Sequence, residues 1–216
     1  MLKEIIQNLQ KLIRIPVQVD PSKFEDPVAI QTQWTPAKGG GSSFCTHEFV
    51  NVGGNRVEFK ATIGAKLFYL VFGAMGLFFL PLTFAFDNSE QIIALIMSFP
   101  FIIVSAVLYY YGTMPIVFDR CNGYFWKGWK LPEQILDKNS IKYLTLLDNI
   151  HALQLISEHC HSKNSSFYSY ELNLVLENGE RINVIDHGNL NKIKQDIVSL
   201  SNFLGKPVWD GTQYIC

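Results

Sequence analysis

Charge is missing from two long stretches of this chain. Leu67–Phe86 and Gln91–Phe118 contain no Asp, Glu, Lys or Arg, in a sequence of 216 residues of which 17% are charged. Ion and proton pathways usually need ionisable groups at such positions, so one copy is not expected to conduct. Cysteine is scarce and scattered. Cys45, Cys121, Cys160 and Cys216 form no C-x-x-C pair, and their spacing fits no zinc pattern but suits a reducing compartment. A formal net charge of -1 supplies no bulk attraction to nucleic acid. The glycine run Lys38-Gly39-Gly40-Gly41-Ser42-Ser43 lacks a closing Gly-Lys-Ser/Thr and a following helix. It is read as a flexible loop and not as a phosphate cradle. No G-x-S-x-G motif is present, so Asp186-His187 reads as a turn with helix-capping groups, not as part of a triad. Met1–Ile15 has neither a continuous apolar core nor a small-residue cleavage site, and no secretory signal is expected.

What is present is hydrophobic length. A helix crosses about 30 Å of hydrocarbon with roughly 20 apolar residues, and each uncharged stretch supplies that. The break between them is Asp87-Asn88-Ser89-Glu90, which predicts a hairpin of two membrane helices with a very short turn. Arg56, Lys60 and Lys66 precede the first helix, and Arg120, Lys127 and Lys130 follow the second, while the turn holds no Lys or Arg. The bias of basic residues toward the cytoplasm puts both termini inside and the Asp87–Glu90 turn outside. Tyr109-Tyr110-Tyr111 then joins Phe68 and Tyr69 in an interfacial aromatic belt. Gly73, Gly76, Ala94, Ser98 and Ser105 are small positions suited to close helix packing, within one hairpin or between hairpins of an oligomer. Pro100 is expected to bend the second helix.

The flanks read as mixed helix and strand. Leu2, Ile5, Ile6, Leu9, Leu12 and Ile13 repeat at helical spacing before Pro16. They predict an amphipathic helix, lying in the interface or covering a soluble domain. Ala29–Thr35 reads as a strand. Phe44–Val52 and Arg56–Thr62 read as a β-hairpin around Gly53-Gly54-Asn55, and Ile116–Phe118 with Tyr124–Trp126 as a second around Asn122-Gly123. Ile150–Glu158 and Phe167–Glu177 are further strands. On the second of these, Tyr168, Tyr170, Leu172, Leu174 and Leu176 alternate with Ser169, Glu171, Asn173 and Glu177. Asn178-Gly179 turns the chain into Arg181–Ile185. Asn189 caps a closing helix with the stripe Leu190, Ile193, Ile197, Leu200 and Leu204, ended by Gly205 and Pro207. The tail with Trp209 packs back.

Two clusters carry possible chemistry. Arg120, Trp126, Lys127, Trp129 and Lys130 form a strip that contacts lipid headgroups or a partner, with lysines on phosphates and tryptophans at the interface; the alternative is a core tryptophan with solvated lysines. Glu158-His159-Cys160-His161 is the densest set of metal-capable side chains. His159 and His161 alternate toward one side, with Cys160 pointing away, but a metal site needs a further ligand such as His151 or Cys121, and a polar loop is the competing reading. No metal and no cofactor is assigned. Asn164-Ser165-Ser166 matches a glycosylation sequon, which has no meaning on the cytoplasmic side.

The two crossings, the Pro115-Ile116-Val117-Phe118-Asp119 entry, the Asn122–Gly128 hairpin and the closing strands and helix together resemble a group of uncharacterised bacterial two-span inner-membrane proteins. The soluble part is similar in layout to pleckstrin-homology-like domains. The resemblance implies an α+β membrane protein, with a transmembrane helical hairpin and a mainly antiparallel β domain closed by a C-terminal helix. The expected segments are 1–60 (amphipathic helix and β-hairpin), 61–115 (membrane hairpin) and 116–216 (cytoplasmic β domain). The expected role is a non-catalytic interaction module in the bacterial inner membrane. It binds a protein partner or lipid headgroups, and the transmembrane hairpin offers a route to homo-oligomers; nucleic acid is not an expected partner. The alternatives are an immunity protein against a membrane-acting toxin and a metal-dependent enzyme built on the His159/His161 loop.

Overall fold

A computed structural model describes residues 19–85, 89–131, 143–161 and 166–214. The expected helix over Met1–Ile15, Asp87 and Asn88 of the turn, the segment after Pro132 and the start of the Asn164 sequon lie outside them. The chain forms two compact units, Cys45–Leu144 and a second made of Met1–Phe44 with Thr145–Cys216.

The first unit joins a helix pair to an antiparallel sheet. Strands β1 (His47–Gly53) and β2 (Arg56–Ala61) form the hairpin expected from the alternating pattern. Helix α2 (Ile63–Phe79) follows after one residue, Thr62, whose hydroxyl accepts from Ala65 N–H and donates to Cys45 O. That single side chain caps the helix and ties it to the strand. Pro81 has no N–H to continue the helix, so the apolar run ends in a separate turn, α3 (Leu82–Ala85). Helix α4 (Ser89–Gly112) carries Pro100 inside it. After Thr113–Pro115 the chain enters β3 (Ile116–Asp119) and turns at Asn122-Gly123 into β4 (Tyr124–Lys127). Gly123 has φ +70°, and Asp119 accepts from Asn122 N–H at 3.0 Å. Strand β3 pairs with β2, from Arg56↔Asp119 to Phe59↔Ile116. The strands on either side of the helix pair therefore belong to one sheet, of order β1-β2-β3-β4-β5. Its last strand, β5 (Leu144–Leu146), carries the chain across the boundary between units.

The second unit is a four-stranded sheet of order β8-β7-β6-β9. Strands β6 (Ile150–His161), β7 (Ser166–Leu176) and β8 (Arg181–His187) are antiparallel. Helix α5 (Leu190–Leu204) has the expected cap, Asn189, and the expected stop, Gly205 at φ +68°. Ile193, Ile197 and Leu200 are its buried stripe. The helix does not close the chain: β9 (Val208–Asp210) follows and pairs in parallel with β6, burying Trp209.

Two expectations fail here for clear reasons. Ala29–Thr35 is not a strand. Asp26 accepts from Val28 N–H at 2.8 Å and Pro27 starts a short helix, α1 (Pro27–Gln31), because Asp followed by Pro is a helix start. His159–His161 is not loop but the end of β6. The ladder continues through His159↔Tyr168 and His161↔Ser166, and the His159 ring stacks on Tyr168 at 4.8 Å.

The polar side of β7 is not solvated. Ser169, Glu171 and Asn173 are as buried as Leu172 and Leu174, because the chain from Thr32 to Phe44 lies across that face as a strap. Glu171 accepts from Ala37 and Lys38 N–H at 2.8 and 2.9 Å, and from Asn173 Nδ2 at 2.6 Å. Gln154 Nε2 donates to Gln33 O, and Arg181 Nη1 donates to Thr35 O and to Gln154 Oε1. Gly41, at φ +49°, presses against the sheet so closely that a Cβ there would collide with the Ser169 side chain. Gly41 alone of the glycines in the run makes this close approach, while carboxylates and a hydroxyl of the sheet accept from the N–H groups of Lys38, Gly40 and Ser42. Phe24 stacks on Trp34 at 4.9 Å, and both flank Trp209, anchoring the start of the strap.

Candidate functional site

The residues expected to touch lipid or a partner do not share one environment. Trp126 is 1% exposed, with the Arg56 guanidinium 5.3 Å over its ring. Arg56 in turn pairs with Glu58 at 2.7 Å, and Lys60 reaches the same carboxylate at 3.2 Å. This corrects the expectation that Trp126 is a contact residue: it is core, sealed by an ion cluster. Lys127 is half-buried, with its ammonium 5.1 Å from the Tyr143 ring. Arg120 is exposed at the turn after β3, and its N–H donates to Asn55 O.

Trp129 and Lys130 stand apart, both exposed. Gly128 N–H donates to Pro115 O at 3.1 Å, which brings the chain after β4 back to the end of α4. There the Trp129 indole donates to Tyr110 O at 3.3 Å, with the two rings 6.2 Å apart. A side chain two residues past β4 thereby reaches the flank of the helix pair.

The helix pair is welded by its small residues. Ser98 Oγ donates to Gly76 O, and Ser105 Oγ to Tyr69 O, each at 2.9 Å. A Cβ on Gly73 would meet Ser105 Oγ at 2.8 Å, and one on Gly76 would meet Ile102 Cγ1 at 2.6 Å. Ala94 is buried as well. These contacts lie within one hairpin. Outside them the pair is open, with only 11% and 17% of its most apolar windows buried. The helical segments Ile63–Ala85 and Gln91–Gly112 hold 23 and 22 residues, long enough and apolar enough to cross a membrane. Between them lies a groove of about 520 Å³, lined by Leu70, Gly73 and Leu77 on α2 and Ile102 and Ala106 on α4, with Tyr110 and Trp129 at one end.

No protein-family model, curated protein or solved structure matches the chain. The chemistry open to the chain follows from its own geometry.

The histidine sites are resolved by that geometry. His159 and His161 rings lie 6.2 Å apart on one side of β6, and among the described residues no group of three metal-capable side chains converges. His187 is buried, and its Nδ1 accepts from Asn189 N–H at 2.9 Å. Burial lowers its pKa, so the imidazole is neutral with its proton on Nε2, a helix-start fitting.

His151, offered by the sequence as a further metal ligand, is held instead by two carboxylates. Its Nε2 meets Asp26 at 2.8 Å and its Nδ1 meets Glu177 at 3.0 Å, clasping the strap side of the unit to the β7 turn. Partial burial opposes charging, but the two carboxylates outweigh it and raise the pKa. The Asp26 pKa moves the other way: burial pushes it up, and the bonds from His151 and Val28 N–H overcome that and lower it. The sign follows for each group. The contribution of His151 is complete below the free imidazole value, about 6.5, and is lost as pH rises through its raised value. That of Asp26 is complete above about 3.9 and is lost as pH falls through its lowered value. The protection of the Val28 amide, its exchange relative to an unstructured amide at the same pH, should be greatest between roughly pH 4 and 6.5 and should fall on the alkaline side. His151→Ala should abolish that alkaline fall in protection; an unchanged pH dependence of protection in the variant would show that the clasp contributes nothing.

Proposed function

We propose that the chain is an integral membrane protein of the bacterial two-span inner-membrane kind. Its hairpin mounts a non-catalytic β module against the cytoplasmic surface, where Trp129, Lys130 and Arg120 meet a protein partner or lipid headgroups. The observation that supports this reading is the direct continuity of sheet and helices. Strand β2 passes into α2 through Thr62 alone, α4 passes into β3 through Thr113–Pro115, and β2 and β3 are paired. A sheet held at both ends by such short links stays at the level where the helices end. The basic flanks and the acidic turn support a cytoplasmic placement. In the second unit, the antiparallel strands followed by an amphipathic helix support a pleckstrin-homology-like reading, to which β9 is an addition.

Alkaline carbonate washing of bacterial membranes should leave the full chain in the pellet, and reporter fusions at Asp87 should be active only outside. A photo-crosslinking residue at position 130 should yield lipid adducts or one discrete protein adduct; a toxin as that adduct is the immunity reading. Extraction by carbonate, or the absence of any adduct at position 130, would overturn the proposal.

A further inference from the structure

We propose that the groove between α2 and α4 holds one acyl chain of an anionic membrane lipid, with the headgroup beside Lys66 and Lys130. The inference rests on the membrane reading above and goes beyond it by naming a ligand and its seat.

The groove exists because Gly73 must remain glycine. A Cβ there would collide with Ser105 Oγ, so the wall at this level is bare backbone. Around it the lining is Leu70, Leu77, Ile102 and Ala106. The Ser105 hydroxyl in its wall already donates to Tyr69 O, and the other hydroxyl-bearing residues that line it, Tyr109 and Tyr110, stand at one end. Along the rest of the groove an occupant is offered dispersion contacts, which favours a hydrocarbon chain over a polar ligand. The volume of about 520 Å³ lies within the roughly 300–1,000 Å³ of sites for small apolar ligands.

One end of the groove is marked by Trp129 and Tyr110, the residue types that settle at the headgroup level. Lys66 and Lys130 bring positive charge to that end. Lys66 lies four residues before Leu70, so it continues the stripe Leu70, Gly73, Leu77 on the same side of α2. Lys130 follows Trp129 and is exposed. Two ammonium groups at the interfacial end complement a phosphate that carries net negative charge. A second copy of the chain is the competing occupant, and it brings no counter-charge to that end from its own apolar helices.

The test uses the full chain, purified in detergent and exchanged with vesicles of either phosphatidylglycerol or phosphatidylcholine. Lipid retained per chain is then read by native mass spectrometry. One lipid should persist. Each lysine near the surface is worth about 1 kcal/mol, or about fivefold, so phosphatidylglycerol should be retained at least about fivefold better. Lys66→Gln with Lys130→Gln should bring the two lipids near parity. Ala106→Trp fills the groove and should cut retention about tenfold by excluding the chain outright. Ile103→Trp, on an exposed face of the same helix, should leave retention intact, and circular dichroism of both variants checks that the helices persist. Equal retention in the Ala106→Trp variant, or no headgroup preference in the parent, overturns the proposal. So does a parent dimer that Ala106→Trp splits, since the groove then belongs to a second copy. A chain that resists carbonate but retains no lipid overturns this inference alone; a chain that carbonate extracts overturns the membrane reading beneath it.

Discussion

Glu171→Ala should unlatch the strap from the second unit and lower its unfolding midpoint by about 10 °C or more. The carboxylate is 2% exposed and accepts from two strap amides and from Asn173. Hydrogen bonds to a charged group contribute about 1.5–3 kcal/mol each, and every donor left unsatisfied in the interior adds its own cost. Removing the acceptor orphans all three donors. It also leaves the half-buried Arg181 guanidinium, whose pKa burial lowers and Glu171 raises, without its counter-charge. A loss of roughly 3–5 kcal/mol is the scale for breaking such a buried arrangement from one side. Exchange at the Ala37 and Lys38 amides should accelerate with it. Glu171→Gln, which keeps one acceptor, should cost clearly less. A Glu171→Ala protein with parent-like exchange at both amides would show that other contacts hold the strap.

The second large effect belongs to the helix pair. Gly76→Val should force α2 and α4 apart, because the added atoms enter space taken by Ile102 Cγ1 at 2.6 Å, Ser98 O at 2.8 Å and Ile102 N at 3.0 Å. Two of these three are backbone atoms, so no side-chain rotation relieves the clash. Overpacking costs about 1–3 kcal/mol where side chains can yield, and here the loss of the Ser98–Gly76 hydrogen bond comes on top. In detergent the variant should unfold earlier than the parent. A cysteine pair introduced at facing positions of α2 and α4 should cross-link several-fold more slowly than in the parent. Cross-linking at the parent rate would show that the helices tolerate a side chain at this level.

Much of this was readable from residue order, and the residues say why. Membrane-length helices announce themselves by what they exclude, since one Asp or Lys within Leu67–Phe86 would have broken the pattern. Asn122-Gly123 and Asn178-Gly179 mark their turns because few other pairs accept the required backbone angles. Asn189 and Gly205 bracket α5 for the corresponding reasons at helix ends. Asp26-Pro27 was equally legible as a helix start, yet the apolar residues after it suggested a strand. The five-residue helix shows that the local cap outweighed a weak pattern.

What the sequence by itself determined is the set of elements that local rules decide: two long apolar helices, tight hairpins and a capped amphipathic helix. Only the tertiary structure decided what covers each face. Ser169, Glu171 and Asn173 alternate as a solvated edge would, and they are buried because a strap more than a hundred residues away in sequence lies over them and supplies donors to Ser169 and Glu171. Trp126 and Trp129 are three residues apart and identical in type, yet one lies under Arg56 in the core and the other stands exposed against Tyr110. Period and propensity are properties of neighbouring residues. Burial depends on which distant segment arrives, and a buried polar group reveals its partner only when both are folded into place.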